Sequence, residues 1–496
     1  MGKSKKFVGK KSGTAEKKAS REMTVAEAAE LVSCDESGYD AQLGAKVARV
    51  RALLGEVAEL PETTTVVPSP KSHFRQRSNF RVWHEPEATG LGVSFIMYSP
   101  SSSEKEPLRV GDFARGDAKT NALMGPVLAA LKATPVLRDK VIECRFHSTL
   151  RGGAMVLFAY NRPIDADAAW KAAAEDLAAK LGPDVVVIGR SRRVQIAVGG
   201  ACPGRAQVEE TLEIPCEPPL RLELVQLEGE FSQPNGAVCE RMLAWAMAAT
   251  KPGDGAEPRD LLELYCGNGN FTIPLSRHFR KVLATELTKP NAAVARENAA
   301  KNGRSNVVVA RLSAAEVAEA LRRDREFARL KELGVDLDAY DLGTLFVDPP
   351  RCGLDAPTLK LAHGFETVVY MSCGPDTLAE NLHALNATHV VADFAVFDQF
   401  PYTDHCEVGL VLKRRADADA AVIPEPRPKD RAVSKRYAKK HAARDKKAGG
   451  GKHKGGGGGG GKKRPAPDGA RDGAGKKKPK APEPKKGGAM GNCAIM

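Results

Sequence analysis

One stretch restricts the fold of this chain more than any other: Asp260-Leu-Leu-Glu-Leu-Tyr265-Cys-Gly267-Asn-Gly269-Asn270-Phe-Thr272. Its first half is a short apolar run suited to a buried strand. The paired glycines that follow let the backbone approach a ligand closely before a helix opens. Strand, glycine turn and helix in that order belong to the carboxyl edge of a parallel sheet. A second apolar run, Val282 to Thr285, closes on Glu286, 19 residues after Gly267, near the spacing of roughly 20 at which a carboxylate reaches ribose hydroxyls. The pattern describes a nucleoside site.

Detail decides the nucleoside. A dinucleotide fingerprint wants Gly or Ala where this chain has Thr272, so NAD is disfavoured. A glycine pair followed by a second-strand acid suits S-adenosylmethionine, which has no pyrophosphate to cradle. A third run ends in Asp348-Pro349-Pro350-Arg351, where two prolines stiffen the loop. A fourth leads into Ser372-Cys373-Gly374-Pro375. Strands ending in Tyr265, Glu286, Asp348, Ser372 and near Phe397 alternate with helical stretches across residues 227–413. This predicts an α/β, Rossmann-like doubly wound domain. Upstream, residues 71–226 mix alternating strands such as Gly153–Tyr160 with helices such as Asp165–Leu181, an α+β substrate domain. Residues 25–70 read as a helical segment, strongest over Tyr39–Leu54 and ended by Pro61, Pro68 and Pro70.

The formal charge of +13 is unevenly spread. The arm Met1–Glu22 holds 8 Lys/Arg against 2 acids, and Arg414–Met496 holds 24 against 8, so the body between them carries −9. Residues 1–24 and 414–496 are Lys-, Gly- and Pro-rich, too poor in apolar surface to fold, and are expected to be disordered. An acidic body binds RNA through a local patch, not bulk charge. The best candidate interleaves cations and aromatics: His73, Phe74, Arg75, Arg77, Phe80 and Arg81. Roughly half of these side chains are expected to be structural, rings inward and arginines outward. The ten cysteines form no CxxC pair or ligand-spaced cluster, so no metal site is expected. No apolar run is long enough to span a bilayer, which points to a reducing cytoplasmic or nuclear compartment, an organelle remaining open.

Taken together, the motifs resemble the TrmA-type tRNA (uracil-5-)-methyltransferases. The resemblance rests on Ser72-His-Phe-Arg75, Phe80-Arg-Val-Trp-His84, Phe231-Ser-Gln233-Pro-Asn235, the Leu261–Phe271 block, Asp348-Pro-Pro-Arg351, Ser372-Cys373-Gly-Pro, and Phe397-Asp-Gln-Phe-Pro-Tyr-Thr403 leading to Glu407. It implies an S-adenosylmethionine-dependent enzyme that methylates carbon 5 of a uridine in tRNA, T-loop uridine 54. By the same resemblance Gln233, Tyr265, Asn270, Glu286 and Asp348 bind the cofactor, joined by Gly267 of the turn. Cys373 is the nucleophile that adds to carbon 6, and Glu407 is the proton acceptor. Arg351 is a candidate contact for the uracil carbonyl on which charge develops. His405, two residues from Glu407, is a rival base. Gly374 stands where the pattern often has Asn.

Two other readings remain at this point: the same chemistry on ribosomal RNA, and a tRNA-binding or tRNA-folding module without catalysis. The expected partner is tRNA, with no DNA partner, and the expected state is a monomer. The last four residues, Cys493-Ala-Ile-Met496, fit a prenylation box, so Cys493 is a lipidation candidate that would bring in a membrane.

Overall fold

The computed structural model describes residues 18–98, 105–192, 194–253 and 255–418. The first 17 residues, the tail beyond residue 418 and Cys493 lie outside them. Helix Val25–Leu31 starts at a capping box in which Thr24 and Glu27 satisfy each other's backbone N–H. Helix Tyr39–Gly55 buries Tyr39, Leu43, Val50 and Leu54 at helical spacing. A three-residue strand, β1 (Thr65–Val67), follows.

The next sheet contains β2 (Arg77–His84), β3 (Val93–Tyr98), β4 (Pro107–Arg109), β5 (Val141–Ser148), β6 (Ala154–Tyr160), β7 (Val185–Ser191) and β8 (Val194–Gly199), in the order β4-β3-β2-β5-β6-β7-β8. All neighbours are antiparallel except β6 and β7, which helix Ala168–Leu181 joins by a crossover. That helix and helix Ala118–Ala133 cover one face, burying Leu123, Val127, Trp170 and Leu177 against Phe80, Phe95, Phe146 and Phe158. The α+β expectation holds. A hairpin of β9 (Gln207–Ile214) and β10 (Leu220–Leu227) leads out of this domain.

The second sheet adds β11 (Asp260–Leu264), β12 (Val282–Thr285), β13 (Val307–Ala310), β14 (Leu342–Val347), β15 (Thr367–Ser372), β16 (His389–Phe397) and β17 (Glu407–Arg414). Its order is β1-β16-β17-β15-β14-β11-β12-β13. Every pair is parallel except those made by β17, which runs antiparallel to both β15 and β16. Helix Gly236–Thr250 packs on one face. Helices Tyr39–Gly55, Ala314–Leu321, Ala356–Ala362 and Pro375–Leu385 pack on the other. The doubly wound α/β reading is therefore correct. Within the stretch read as helical, residues 39–67 build onto this sheet: Val50 and Leu54 share a core with Leu378 and Leu382, and β1 extends the edge beyond β16. The helix expected after the glycine turn is a single turn, Thr272–Leu275. It stops because the chain must return at once: Asp260 accepts hydrogen bonds from the Arg280 guanidinium and the Lys281 N–H, which starts β12.

Candidate functional site

Strand parity assembles the site. Residues paired in register in neighbouring strands point to the same face, and successive residues alternate. Glu263 pairs with Phe346, and Phe346 with Val369. Phe346 and Val369 lie on the face covered by helix Gly236–Thr250. Carried past the strand ends, the alternation turns Asp348 and Cys373 to that same face. Ala284 pairs with Glu263, which places Glu286 there too. Ser372 pairs with Val408, so Cys373 stands opposite Glu407, the first residue of β17. An antiparallel strand begins where its parallel neighbours end. The carboxylate therefore reaches the carboxyl edge from the opposite chain direction.

Cys373 and Asp348 are partly exposed, and Glu407 is buried. Burial, with Glu407 and Asp348 beside it, pushes the Cys373 thiol up to about 12, while the Arg351 guanidinium opposes the rise. Burial and Asp348 hold Glu407 well above the usual carboxylate range, again opposed by Arg351. Burial raises Asp348 to about 7. One guanidinium thus opposes the shifts of two acids, Cys373 and Glu407. Gly374 permits this packing, since a Cβ there would lie 2.8 Å from Thr377 Oγ1 and 3.3 Å from the Arg351 carbonyl oxygen. His405 is exposed on the turn beside Phe400.

The glycine turn lies at the other end of this edge. Tyr265, Gly267 and Gly269 all have positive φ, 64°, 58° and 89°. Glu286 pins the turn by accepting the Gly267 N–H at 3.1 Å and the Thr288 N–H at 2.7 Å. Two buried polar atoms in this region, Gln233 Oε1 and Asn270 Nδ2, have no hydrogen-bond partner. One is an acceptor and the other a donor, the pair that the ammonium and carboxylate of an amino-acid moiety would satisfy. Among the described residues no group of three or more His, Cys, Asp or Glu is placed to hold a metal.

The segment between β16 and β17 is held by contacts between its own motif residues and distant partners, of which Lys46 lies outside every motif. Lys46 forms a buried ion pair with Asp398 at 2.7 Å and donates to the Phe400 carbonyl at 2.9 Å. Gln399 brackets Asn235, accepting its N–H at 3.1 Å and donating to its carbonyl at 3.3 Å. It thereby ties the Gln233 loop to the Glu407 loop. Tyr402 donates to the Lys71 carbonyl at 2.6 Å.

The candidate RNA contacts divide by burial. Phe80 is fully buried between Phe95, Phe113 and Phe146, so it is a core residue and is withdrawn as an RNA contact. Phe74 is buried against Tyr402 and is withdrawn for the same reason. His73 and Arg81 are exposed. Arg75 and Arg77 line a cleft of about 640 Å³ together with Arg115, Arg145, His147, Phe231 and Phe400. Burial and mutual repulsion lower Arg75 and Arg77. Phe231 is 62% exposed, an unusual state for a large ring. Arg115 and Arg145 come from distant segments and carried no local motif, whereas Phe231 lay inside a motif that gave no hint of its exposure.

Residues 38–415 match the family model described as tRNA (Uracil-5-)-methyltransferase. The tRNA/tmRNA (uracil-C(5))-methyltransferase of Ectopseudomonas mendocina is 44% identical over 381 residues, 77% of this chain and 98% of that one. The protein of the same description from Azotobacter vinelandii is 45% identical over 381 residues, with the same coverage of 77% and 98%. Among solved structures, Pyrococcus abyssi tRNA (uracil-54, C5)-methyltransferase in complex with S-adenosyl-L-homocysteine aligns with a TM-score of 0.53 at 16% identity, covering 75% of this chain and 83% of that chain. At that identity the likeness is one of fold.

Proposed function

The chain belongs to the tRNA (uracil-5-)-methyltransferase family, and from that premise we propose that it methylates carbon 5 of a tRNA uridine, the T-loop uridine 54, through a covalent adduct at Cys373. The observation that carries this reading is the placement of Cys373 opposite Glu407 with Arg351 between them in charge. Carbon 5 of uracil is a poor nucleophile. Addition of the Cys373 sulfur at carbon 6 converts the ring to an enolate, and Arg351 is placed to hold the carbonyl oxygen that gains charge. S-adenosyl-L-methionine, when bound, supplies the methyl electrophile. Gln233 and Asn270 would grip its amino-acid end with their unpartnered atoms, Glu286 its ribose. Glu407 then removes the carbon 5 hydrogen, and the thiol is expelled as the double bond returns. Purified protein incubated with methyl-labelled cofactor and unmodified tRNA should label uridine 54; label on another base or on none sinks the reading.

Burial raises both working groups above their ordinary values, the Cys373 thiol to about 12, which fixes the sign of the pH dependence. Only the thiolate adds and only the carboxylate accepts a proton, so adduct formation should rise with pH by up to about tenfold per unit between roughly pH 6.5 and 8.5. Arg351→Ala removes the group that opposes both shifts and should lower kcat/KM by roughly 100-fold, with Arg351→Lys recovering part of it. Unchanged turnover in Arg351→Ala would remove that residue from the mechanism.

The tRNA is assigned to the cleft lined by Arg75, Arg77, Arg115 and Arg145. Clustered guanidinium groups repel one another in the free protein, and phosphates relieve that repulsion. Phe231 is placed to stack on an unpaired base, with His73 and Arg81 at the margin. The basic tails should add a salt-dependent, sequence-independent term. Cutting after residue 418 spares Arg414 and Arg415, which hydrogen-bond to the His363 carbonyl and to Asn386. Removing residues 1–17 and 419–496 should weaken tRNA binding at low salt and flatten its salt slope, leaving the methylated position unchanged. Filter binding across a salt series checks this; an unaltered slope would assign the tails elsewhere.

A further inference from the structure

Glu263 has no part in the reaction above, yet it lies just before the glycine turn, flanked by Leu261, Leu262 and Leu264 in β11. It is 1% exposed, and its Oε2 has no hydrogen-bond partner. Thr272 lies beside it and is the group that draws its carboxyl down. With Gln233 Oε1 and Asn270 Nδ2, three buried side-chain atoms of the candidate cofactor site lack a hydrogen-bond partner. Such atoms are costly to bury unpaired and are retained where a ligand completes them.

The charge around Glu263 is one-sided. Asp348, on the next strand and the same face, acts on it electrostatically. From the turn comes the Cys266 thiol, which senses both Glu263 and Glu286. From helix Gly236–Thr250 comes Cys239, whose thiol donates to Asn270 Oδ1 at 3.5 Å and senses Glu210, Glu240 and Asp348. Arg351, the cation of this edge, acts on Cys373 and Glu407, and is not among the groups that act on Glu263. Burial, with Asp348 adding, lifts Glu263 to about 8. Two neighbouring acids, of which Glu263 is fully buried, with no cation acting on Glu263, keep at least one proton until a positive charge arrives.

We propose that Glu263, together with Asp348, is a proton-linked charge sensor under the cofactor pocket, which loses a proton to solvent when the sulfonium form binds and retains it when the sulfur is neutral. The inference rests on the S-adenosyl-L-methionine reading given above. It predicts that the spent product is held less tightly than the methyl donor, and that the difference grows as pH rises. Glu263 is a positioning residue here, acting through the pocket's charge and not on the RNA.

The test is calorimetric titration of the full-length protein with S-adenosyl-L-methionine and, separately, S-adenosyl-L-homocysteine. Two buffers of different ionisation enthalpy are used at each of several pH values between about 6.5 and 8.5. The wild type should release more protons with the sulfonium, and its preference for the sulfonium should increase about tenfold across that range. Glu263→Gln should lose most of the extra release and flatten the preference; the ligand's own ammonium titrates equally in both proteins and cancels. Thr272→Val, which removes the hydroxyl that helps lower Glu263, should move the midpoint to higher pH. This second variant keeps the test open if Glu263→Gln does not fold. Equal proton release with the two ligands, or a wild-type pH profile in both variants, overturns the sensor. Binding of neither ligand by the wild type overturns the cofactor reading and the sensor with it.

Discussion

Cys373→Ala should form no covalent RNA adduct and yield no 5-methyluridine, a loss on the order of 10⁴-fold or more, because no other group can activate carbon 5 from carbon 6. Glu407→Gln should fail differently. Its Cys373 still adds and the methyl group is still transferred, but the carbon 5 hydrogen stays, so the RNA remains bonded to the protein. A denaturing gel should show a slow-migrating protein–RNA band for Glu407→Gln and none for Cys373→Ala. Appreciable methylation by Cys373→Ala, or absence of the trapped band, would refute the order of steps. If the exposed His405 were the base, Glu407→Gln would turn over and release its RNA, and His405→Ala would trap it.

The second large effect starts from Lys46, which lies outside every motif, and reaches Asp398, which lies inside one. Lys46 is 4% exposed and Asp398 fully buried, and the pair is the electrostatic anchor of the loop that leads into Glu407. Asp398 Oδ2 has no other partner. Lys46→Met leaves a buried charge uncompensated, which costs about 3–5 kcal/mol and should lower Tm by on the order of 10 °C. The Phe400 carbonyl also loses its donor, so Gln399 and Glu407 should shift and activity should fall more than stability alone explains. Adding Asp398→Asn to Lys46→Met removes the stranded charge and should recover part of the Tm. Thermal melts of the two variants check this, and an unchanged melt for Lys46→Met would show that the pair is not an anchor.

Legibility in the sequence followed the range of the interaction. The glycine turn, the acids at strand ends and the alternation Arg77, Asn79, Arg81 against Ser78, Phe80, Val82 are local patterns, and the strands appear where those patterns lie. The same alternation already separated Phe80 from Arg77, although both entered the RNA candidates. Phe231 could not be read in this way, because exposure of an aromatic ring depends on what the rest of the chain fails to cover. Nor could the Lys46–Asp398 pair, whose members stand 352 positions apart. The one-turn helix after Gly269 was hidden by a similar cause, the capture of Arg280 by Asp260. What a contiguous segment dictates was visible, and what closes long loops was not.

The reversed strand β17 has a consequence for how such an enzyme can change over time. The spacing of nucleophile and base is set by two neighbouring strands, whose separation of about 4.8 Å is imposed by backbone hydrogen bonds. Loops around this edge can therefore be lengthened or recut for a different RNA without detuning the pair. A single residue gained or lost inside β15 or β17 is another matter: it would turn Cys373 or Glu407 to the opposite face of the sheet. Indels should be common in the surroundings and forbidden within six or eight residues of backbone, so that substrate range drifts while the chemistry stays locked.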